Sequence, residues 1–260
     1  MNAEIVSAAP LDSSERRARI TVSIVSHGHR GWVEQLLRKL AEGHGGWIVH
    51  CIVTHNAPEP ELQAPPGGWP FQLTELFNAA PAGFGANHNR AFSKCNSEFF
   101  CVLNPDVDLT GPELWAALVA EAEKPGTGLA YPILLNPDGT RQDSERESVT
   151  PAALIARHLL KRPPRRIDWI SAAFWLVPAA VYRRLGGFDE GFFMYCEDTD
   201  FCLRLRLGGW SLRRADVAVV HHAVRGSRKP GRHLAWHLRS LVRLWSGRVL
   251  RQYMATVASS

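Results

Sequence analysis

No stretch of this chain approaches the ~18 consecutive apolar residues of a membrane-spanning helix, which excludes an integral helical membrane protein. Met1 to Arg19 hold serines, alanines and charges and no apolar run of signal-peptide length, so a cytoplasmic location is expected. The five cysteines are an odd number without CxxC pairs or zinc-finger spacing, which argues for reduced thiols over a disulfide framework or a structural zinc site. Acidic residues are absent from His221 to the end while arginine and lysine recur there. The net charge of +5 therefore belongs to one end of the chain and not to a distributed nucleic-acid-binding surface, so no nucleic-acid partner is expected. Internal repeats and low-complexity linkers are also missing.

What is present suits one sizeable core: 260 residues, 45% of them apolar. Ile20–Val25 and Trp47–Thr54 are short β-branched runs separated by helical spacing over Trp32–Ala41, a β-α-β opening. A strand over Phe71–Leu76, a glycine-led helix ending near Cys95, the strand "EFFCVL" and a helix over Pro112–Glu123 continue the alternation, which predicts a mostly parallel α/β sheet. The pattern then loosens through "GLAYPILL", a turn at "NPDGT", a basic stretch from Arg157 to Arg166 and the apolar "WISAAFWLV". The spacing over His233–Tyr253 predicts one basic amphipathic helix, with Leu234, Leu238, Leu241, Trp245 and Val249 on one face and Arg239 and Arg243 on another. Residues 1–19 are thus expected to be a flexible segment, 20–227 one domain and 228–260 a helical extension. The extension reads either as a cap on the core or as a peripheral contact with the inner face of an anionic membrane.

Three constellations carry chemistry. In "CVLNPDVDL" a buried strand ends in Asn104, Pro105 and Asp106, at the edge of an α/β sheet where ligands collect. A hard cation bridging two phosphates needs only one or two protein carboxylates, which suits Asp106, although Asn-Pro-Asp is also a common turn. In "GGFDEGFFMYCEDTDFCLRLRL" an aromatic, glycine-bearing loop leads to Glu197, Asp198 and Asp200 at the start of a helix. Capping explains acids there, and Asp200 is spaced to pair with Arg204; a lid delivering a catalytic carboxylate is the alternative. In "VVHHAVRGS" His221 ends a β-branched run, a structural position or the completion of a metal site begun by Asp106.

Taken in order, "SIVSHGHR", "GFGANHNRAF", "LNPDVDL", "NPDGTRQDS", the long "WISAAFWLV…GGW" segment and "VVHHAVRGS" resemble glycosyltransferase family 2, in its rhamnosyltransferase-like branch, over roughly Ile20 to Ser227. The resemblance implies a single GT-A domain and an inverting transfer from a nucleotide-diphosphate sugar, dTDP- or UDP-linked, carrying rhamnose or a hexose. The acceptor would be a hydroxyl of a glycan or lipid-linked glycan. It implies Mg²⁺ or Mn²⁺ as cofactor, with Asp106 as ligand and His221 as metal or diphosphate contact. Asp198 falls on the catalytic base and Glu197 on its acidic neighbour. Ser26, Asn56, Asn89 and Asn104 fall on the donor side, and Trp169, Ser171 and Ala172 border the acceptor. Two departures stand in the nucleotide half: His55, in "VTHNAPE", occupies the place of an acid, and the first strand ends in Ser26, His27 and Gly28. They keep open a non-catalytic, partner-binding reading, beside that of a metal-dependent nucleotidyltransferase.

Overall fold

The computed structural model describes residues 19–148, 166–223 and 231–259. The N-terminal segment up to residue 18, the basic stretch 157–165, the end of the "VVHHAVRGS" motif and the expected 227/228 boundary lie outside the described residues. Expected strands become β1 (Ile20–Ser26), β2 (Ile48–His55) and β4 (Phe99–Leu103), buried almost throughout because helices cover both faces. Between the first two, α1 (Arg30–Gly43) buries Val33, Leu36, Leu37 and Leu40, the apolar positions of its 3.6-residue period. The remaining elements are β3 (Gln72–Phe77), α2 (Phe84–Phe92), β5 (Val107–Asp108), α3 (Leu114–Ala122), β6 (Thr127–Leu135), β7 (Glu145–Arg146), β8 (Trp169–Ile170), β9 (Phe174–Pro178), α4 (Ala179–Leu185), α5 (Glu197–Leu207), β10 (Ser211–His221), α6 (Arg232–Ser246) and α7 (Arg248–Ala258).

An eight-stranded sheet runs in the order β3-β2-β1-β4-β9-β6-β10-β5, with β7 and β8 paired apart from it. The first four strands are parallel; β9 is antiparallel to both β4 and β6, and β5 is antiparallel to β10. Ser26, His55, Phe77 and Leu103 therefore all arrive at one edge of the sheet, where the strand direction then reverses at β9. The β5–β10 register sets Val107 opposite His221, so the turn "NPDVD" is folded against "VVHH". One core, with Val33, Leu37, Trp115 and Phe174, lies under α1 and α3, and the other, with Phe100, Trp175, Tyr182 and Phe201, under α2, α4 and α5.

The C-terminal segment differs from expectation. It is two helices, because Gly247 adopts an extended backbone (φ −70°, ψ 156°) between them. The break lets α7 turn Leu250 and Tyr253 inward, where they join Leu244, Phe192, Cys196 and Leu203. Of the expected apolar face, Leu241 and Val249 pack on this cluster, whereas Leu234, Leu238 and Trp245 are exposed. No helix among the described residues is long and apolar enough to cross a membrane.

Asp168 pins α7 to the domain. Buried, it accepts hydrogen bonds from Ser148 N and Oγ (2.7 and 2.6 Å), from the Arg166 guanidinium and from the Tyr253 hydroxyl (2.7 Å). Burial pushes its carboxyl up, but the bonds from Arg166, Ser148 and Tyr253 outweigh this and hold it below the usual range. Asp168→Ala strands Arg166 and three other donors, and is expected to lower the unfolding free energy by about 3 kcal/mol in urea titration.

Candidate active site

Two side chains from opposite ends of the sheet sequence meet at its edge. Asp106 follows β4 and His221 ends β10, and Asp106 Oδ1 lies 3.4 Å from His221 Nε2, both only slightly exposed. The amide of Gln142 fixes the state of the imidazole. Its Nε2 donates to the His221 carbonyl (2.6 Å), which turns its oxygen toward His221 Nδ1 (2.9 Å). An amide oxygen only accepts, so Nδ1 carries a proton and the ring is held with Nε2 toward the Asp106 carboxylate. A carboxylate with an imidazole is a donor set that a divalent cation accepts. Among the described residues no group of three or more histidine, cysteine or acidic side chains forms a closed cage, so other positions on a cation here would fall to substrate oxygens or water.

The neighbouring Asp108 is committed elsewhere, to Lys39 Nζ (2.6 Å) and His222 Nε2 (2.9 Å). Burial raises its carboxyl, but these two partners overcome that and hold it low. Of the two acids in "NPDVD", Asp106 faces the crevice pair and Asp108 ties α1 to the β10 end. The spacing of "NPDGTRQDS" gives Gln142 no role, because its contact with His221 Nδ1 joins a loop to a strand end 79 residues away. Gln142→Leu removes the group that sets the tautomer and is expected to weaken Mn²⁺ affinity about 10–100-fold by calorimetry, with Gln142→Glu less affected.

The acidic helix start is built under strain. Tyr195 (φ 72°) and Cys196 (φ 66°) are consecutive non-glycine residues in the left-handed region, directly before Glu197. They turn the chain sharply from the aromatic loop into α5. Glu197 is buried with Oε2 lacking any hydrogen-bond partner, while the half-buried Asp198 accepts from the Thr199 amide (2.7 Å). Burial pushes both carboxyls up, and their mutual repulsion adds to it at Glu197; Thr199 and the Arg146 charge restrain Asp198. Asp200 pairs with Arg204 (2.7 Å), as its spacing suggested.

The β8–β9 connection links the two constellations. Ala173 O accepts from Asn104 N (2.9 Å), while the adjacent Ala172 amide lies near the Asp198 carboxyl. Ser171 N is bound to Ser144 O (3.0 Å), and Trp169, buried, donates to Glu147 O (2.7 Å) beneath the Arg146 guanidinium. Asp106, Asn104, Ala172 and Asp198 thus share one neighbourhood.

On the donor side the asparagines are structural staples. Asn89 spends all four hydrogen bonds of its amide on the Tyr182 hydroxyl, the Phe188 amide and carbonyl, and Glu190, so it holds the aromatic loop and has no bond left for a ligand. Gly187 (φ +73°) permits this approach, since a Cβ there would sit 2.3 Å from Asn89 Oδ1. Asn56 binds Ala82 N and O and Asn78, closing the glycine-rich loop. Ser26 Oγ donates to Glu59 (2.8 Å), and His55, buried, bridges Glu59 (2.8 Å) and Glu75 (2.7 Å) while stacking on Phe77. Glu59 borders an open cleft of about 460 Å³ lined also by Ala57, Pro58, Phe77 and Asn78.

No family model matches the chain. It is 26% identical over 245 residues to rhamnosyltransferase WbbL of Escherichia coli (strain K12), covering 86% of this chain and 91% of that one. It is 28% identical over 218 residues to N-acetylglucosaminyl-diphospho-decaprenol L-rhamnosyltransferase of Mycobacterium tuberculosis (strain ATCC 25618 / H37Rv), covering 72% and 69%. Among solved structures, the mannosyltransferase PcManGT of Pyrobaculum calidifontis, in complex with GDP-Man and Mn²⁺, superposes with a TM-score of 0.58 over 95% of this chain and 76% of its own. At 14% identity that likeness is one of fold.

Proposed function

We propose that this chain, similar in sequence to rhamnosyltransferases and in fold to GT-A glycosyltransferases, is a nucleotide-sugar glycosyltransferase of the rhamnosyltransferase-like branch, metal-dependent and inverting, acting on a lipid-linked glycan. The observation that carries the proposal is the meeting of Asp106 with a His221 oriented by Gln142, in a site whose helix start carries Asp198. Asp106 and His221 would hold Mg²⁺ or Mn²⁺, which when bound neutralises the charge that develops on a departing diphosphate. The base and ribose fit the cleft beside Glu59. Its carboxyl, raised by burial, is brought below the usual range by His55, Ser26 and the Gly28 amide, so it stays a charged acceptor.

Asp198 takes the proton of the acceptor hydroxyl as that oxygen bonds to the anomeric carbon; the bond from this carbon to the diphosphate oxygen breaks, and the nucleoside diphosphate leaves. One displacement inverts the centre. A carboxylate is a weak base toward an alcohol, yet the hydroxyl acidifies as the new bond forms, so late transfer suffices. A rhamnose donor and a diphospho-lipid glycan acceptor are proposed from the names of the two relatives.

Thermal stabilisation by dTDP-rhamnose and by UDP-, GDP- and CDP-sugars, each with Mn²⁺ and with EDTA, tests the reading. Stabilisation by one nucleotide class, growing with ligand excess and abolished by EDTA, is expected. Stabilisation by none would favour a partner-binding role, and release of nucleoside monophosphate with diphosphate would favour a nucleotidyltransferase.

A further inference from the structure

Helix α6 does two things at once. Its inner side grips the aromatic loop that leads to Glu197 and Asp198: Ser240 Oγ donates to Met194 O (2.8 Å), Arg243 forks onto Asp189 (2.9 Å), Trp236 packs on Phe193 and His233 meets the Tyr195 hydroxyl. Its outer side carries Leu234, Leu238, Val242 and Trp245, exposed at 59, 55, 62 and 40%. At 3.6 residues per turn these four fall within an arc of about 80° and form one continuous apolar stripe. Arg232, Arg239 and Arg243 fall in a second row, within about 40°, between the stripe and the loop. Helix α7 has no such stripe, since its Leu250 and Tyr253 point into the core.

We propose that α6 is a docking element for an anionic bilayer surface, with the Leu234–Leu238–Val242–Trp245 stripe in the interface and the arginine row at headgroup level. The commitment to lipid rests on charge. From His221 to the end the chain has no carboxylate, so two copies joined along α6 would bring arginines together with nothing on the helix to neutralise them, whereas acidic headgroups answer both features of the helix. A cleft of about 450 Å³ lies on the arginine side, lined by Glu190, Phe193, Trp236, Arg239 and Arg243, between the docked face and the loop leading to Asp198. An acceptor borne on a lipid would pass from headgroup level directly into it. Only this last step rests on the transferase reading; docking itself does not.

Flotation of the full chain, without donor, with vesicles of phosphatidylcholine alone or with equal parts phosphatidylglycerol tests the docking. Binding to the acidic vesicles that weakens with added salt is expected. Leu238→Asn/Val242→Asn should weaken it at least tenfold. Arg232→Gln/Arg239→Gln should weaken it about thirtyfold, at about 1 kcal/mol per cation near an acidic surface, and abolish the lipid preference. Both pairs sit on an exposed helix surface, so melting temperature and Mn²⁺-dependent donor stabilisation should match the parent; loss of donor binding in the parent itself would strike the functional reading and leave docking standing. No binding of the parent to acidic vesicles, binding by Leu238→Asn/Val242→Asn at parental strength, or a dimer in sedimentation that this variant dissolves would each overturn the proposal.

Discussion

Turnover in Asp198→Asn is expected to fall by about 10²–10⁴-fold, the usual contribution of a positioned general base, with donor affinity nearly unchanged. The variant isolates the proton transfer because asparagine keeps an oxygen for the Thr199 amide, and so keeps the side chain in place. Stability should move the other way. Glu197 and Asp198 both have carboxyls raised by burial, so between the ordinary carboxylate range and their raised values the folded chain binds more protons than the unfolded one. Stability contributed by this pair is therefore present at low pH and lost as pH rises through the raised values. Removing one acid relieves the repulsion, and Asp198→Asn should melt at or above the parental temperature at neutral pH. Glu197→Gln makes the control: it leaves the Asp198 carboxyl in place as the base, so its turnover should fall much less. The acid limb of the parent's kcat/KM profile should lie above the ordinary range near pH 4, since the base is Asp198 with a raised carboxyl. Equal losses in the two variants, or a limb at pH 4, would assign the base elsewhere.

Elements whose signal is local were legible in the residues. The period of Val33, Leu36, Leu37 and Leu40 marks α1, the β-branched runs mark β1 and β2, and the acids before an apolar-basic pattern mark α5 from Glu197 to Leu207. "WISAAFWLV" was legible as buried but not as β9 running against β4, because an all-apolar run carries neither direction nor partner. The asparagines illustrate a second limit: Asn89 and Asn56 stand in donor-side motifs, yet their amides are used by Phe188, Tyr182 and Ala82, and partners 26 to 99 residues away are set by tertiary approach. Likewise the α6 period shows that Leu234, Leu238 and Trp245 share a face, but periodicity does not say whether that face meets core or solvent. Here Ser240, chosen by a carbonyl of the loop at Met194, faces inward.

Removing Asp106 should abolish the metal dependence of donor binding. In Asp106→Ala, stabilisation by the nucleotide sugar should become the same with Mn²⁺ as with EDTA, and donor affinity should fall at least ~100-fold, since loss of a mere supporting group around a metal costs up to that. His221→Ala should do the same to a smaller extent, because a carboxylate contributes charge as well as a ligand atom. The double variant is the decisive measurement. If the 3.4 Å pair holds one cation, either substitution already removes most of its binding, and Asp106→Ala/His221→Ala should cost little more than Asp106→Ala alone. Additive losses would mean two separate contacts, Asp106 with one part of the donor and His221 with another, and the cation would then have to be placed without their joint help. Adding the Gln142→Leu background sharpens the comparison, since a side chain that acts only by fixing the His221 tautomer should have no further effect once His221 is alanine.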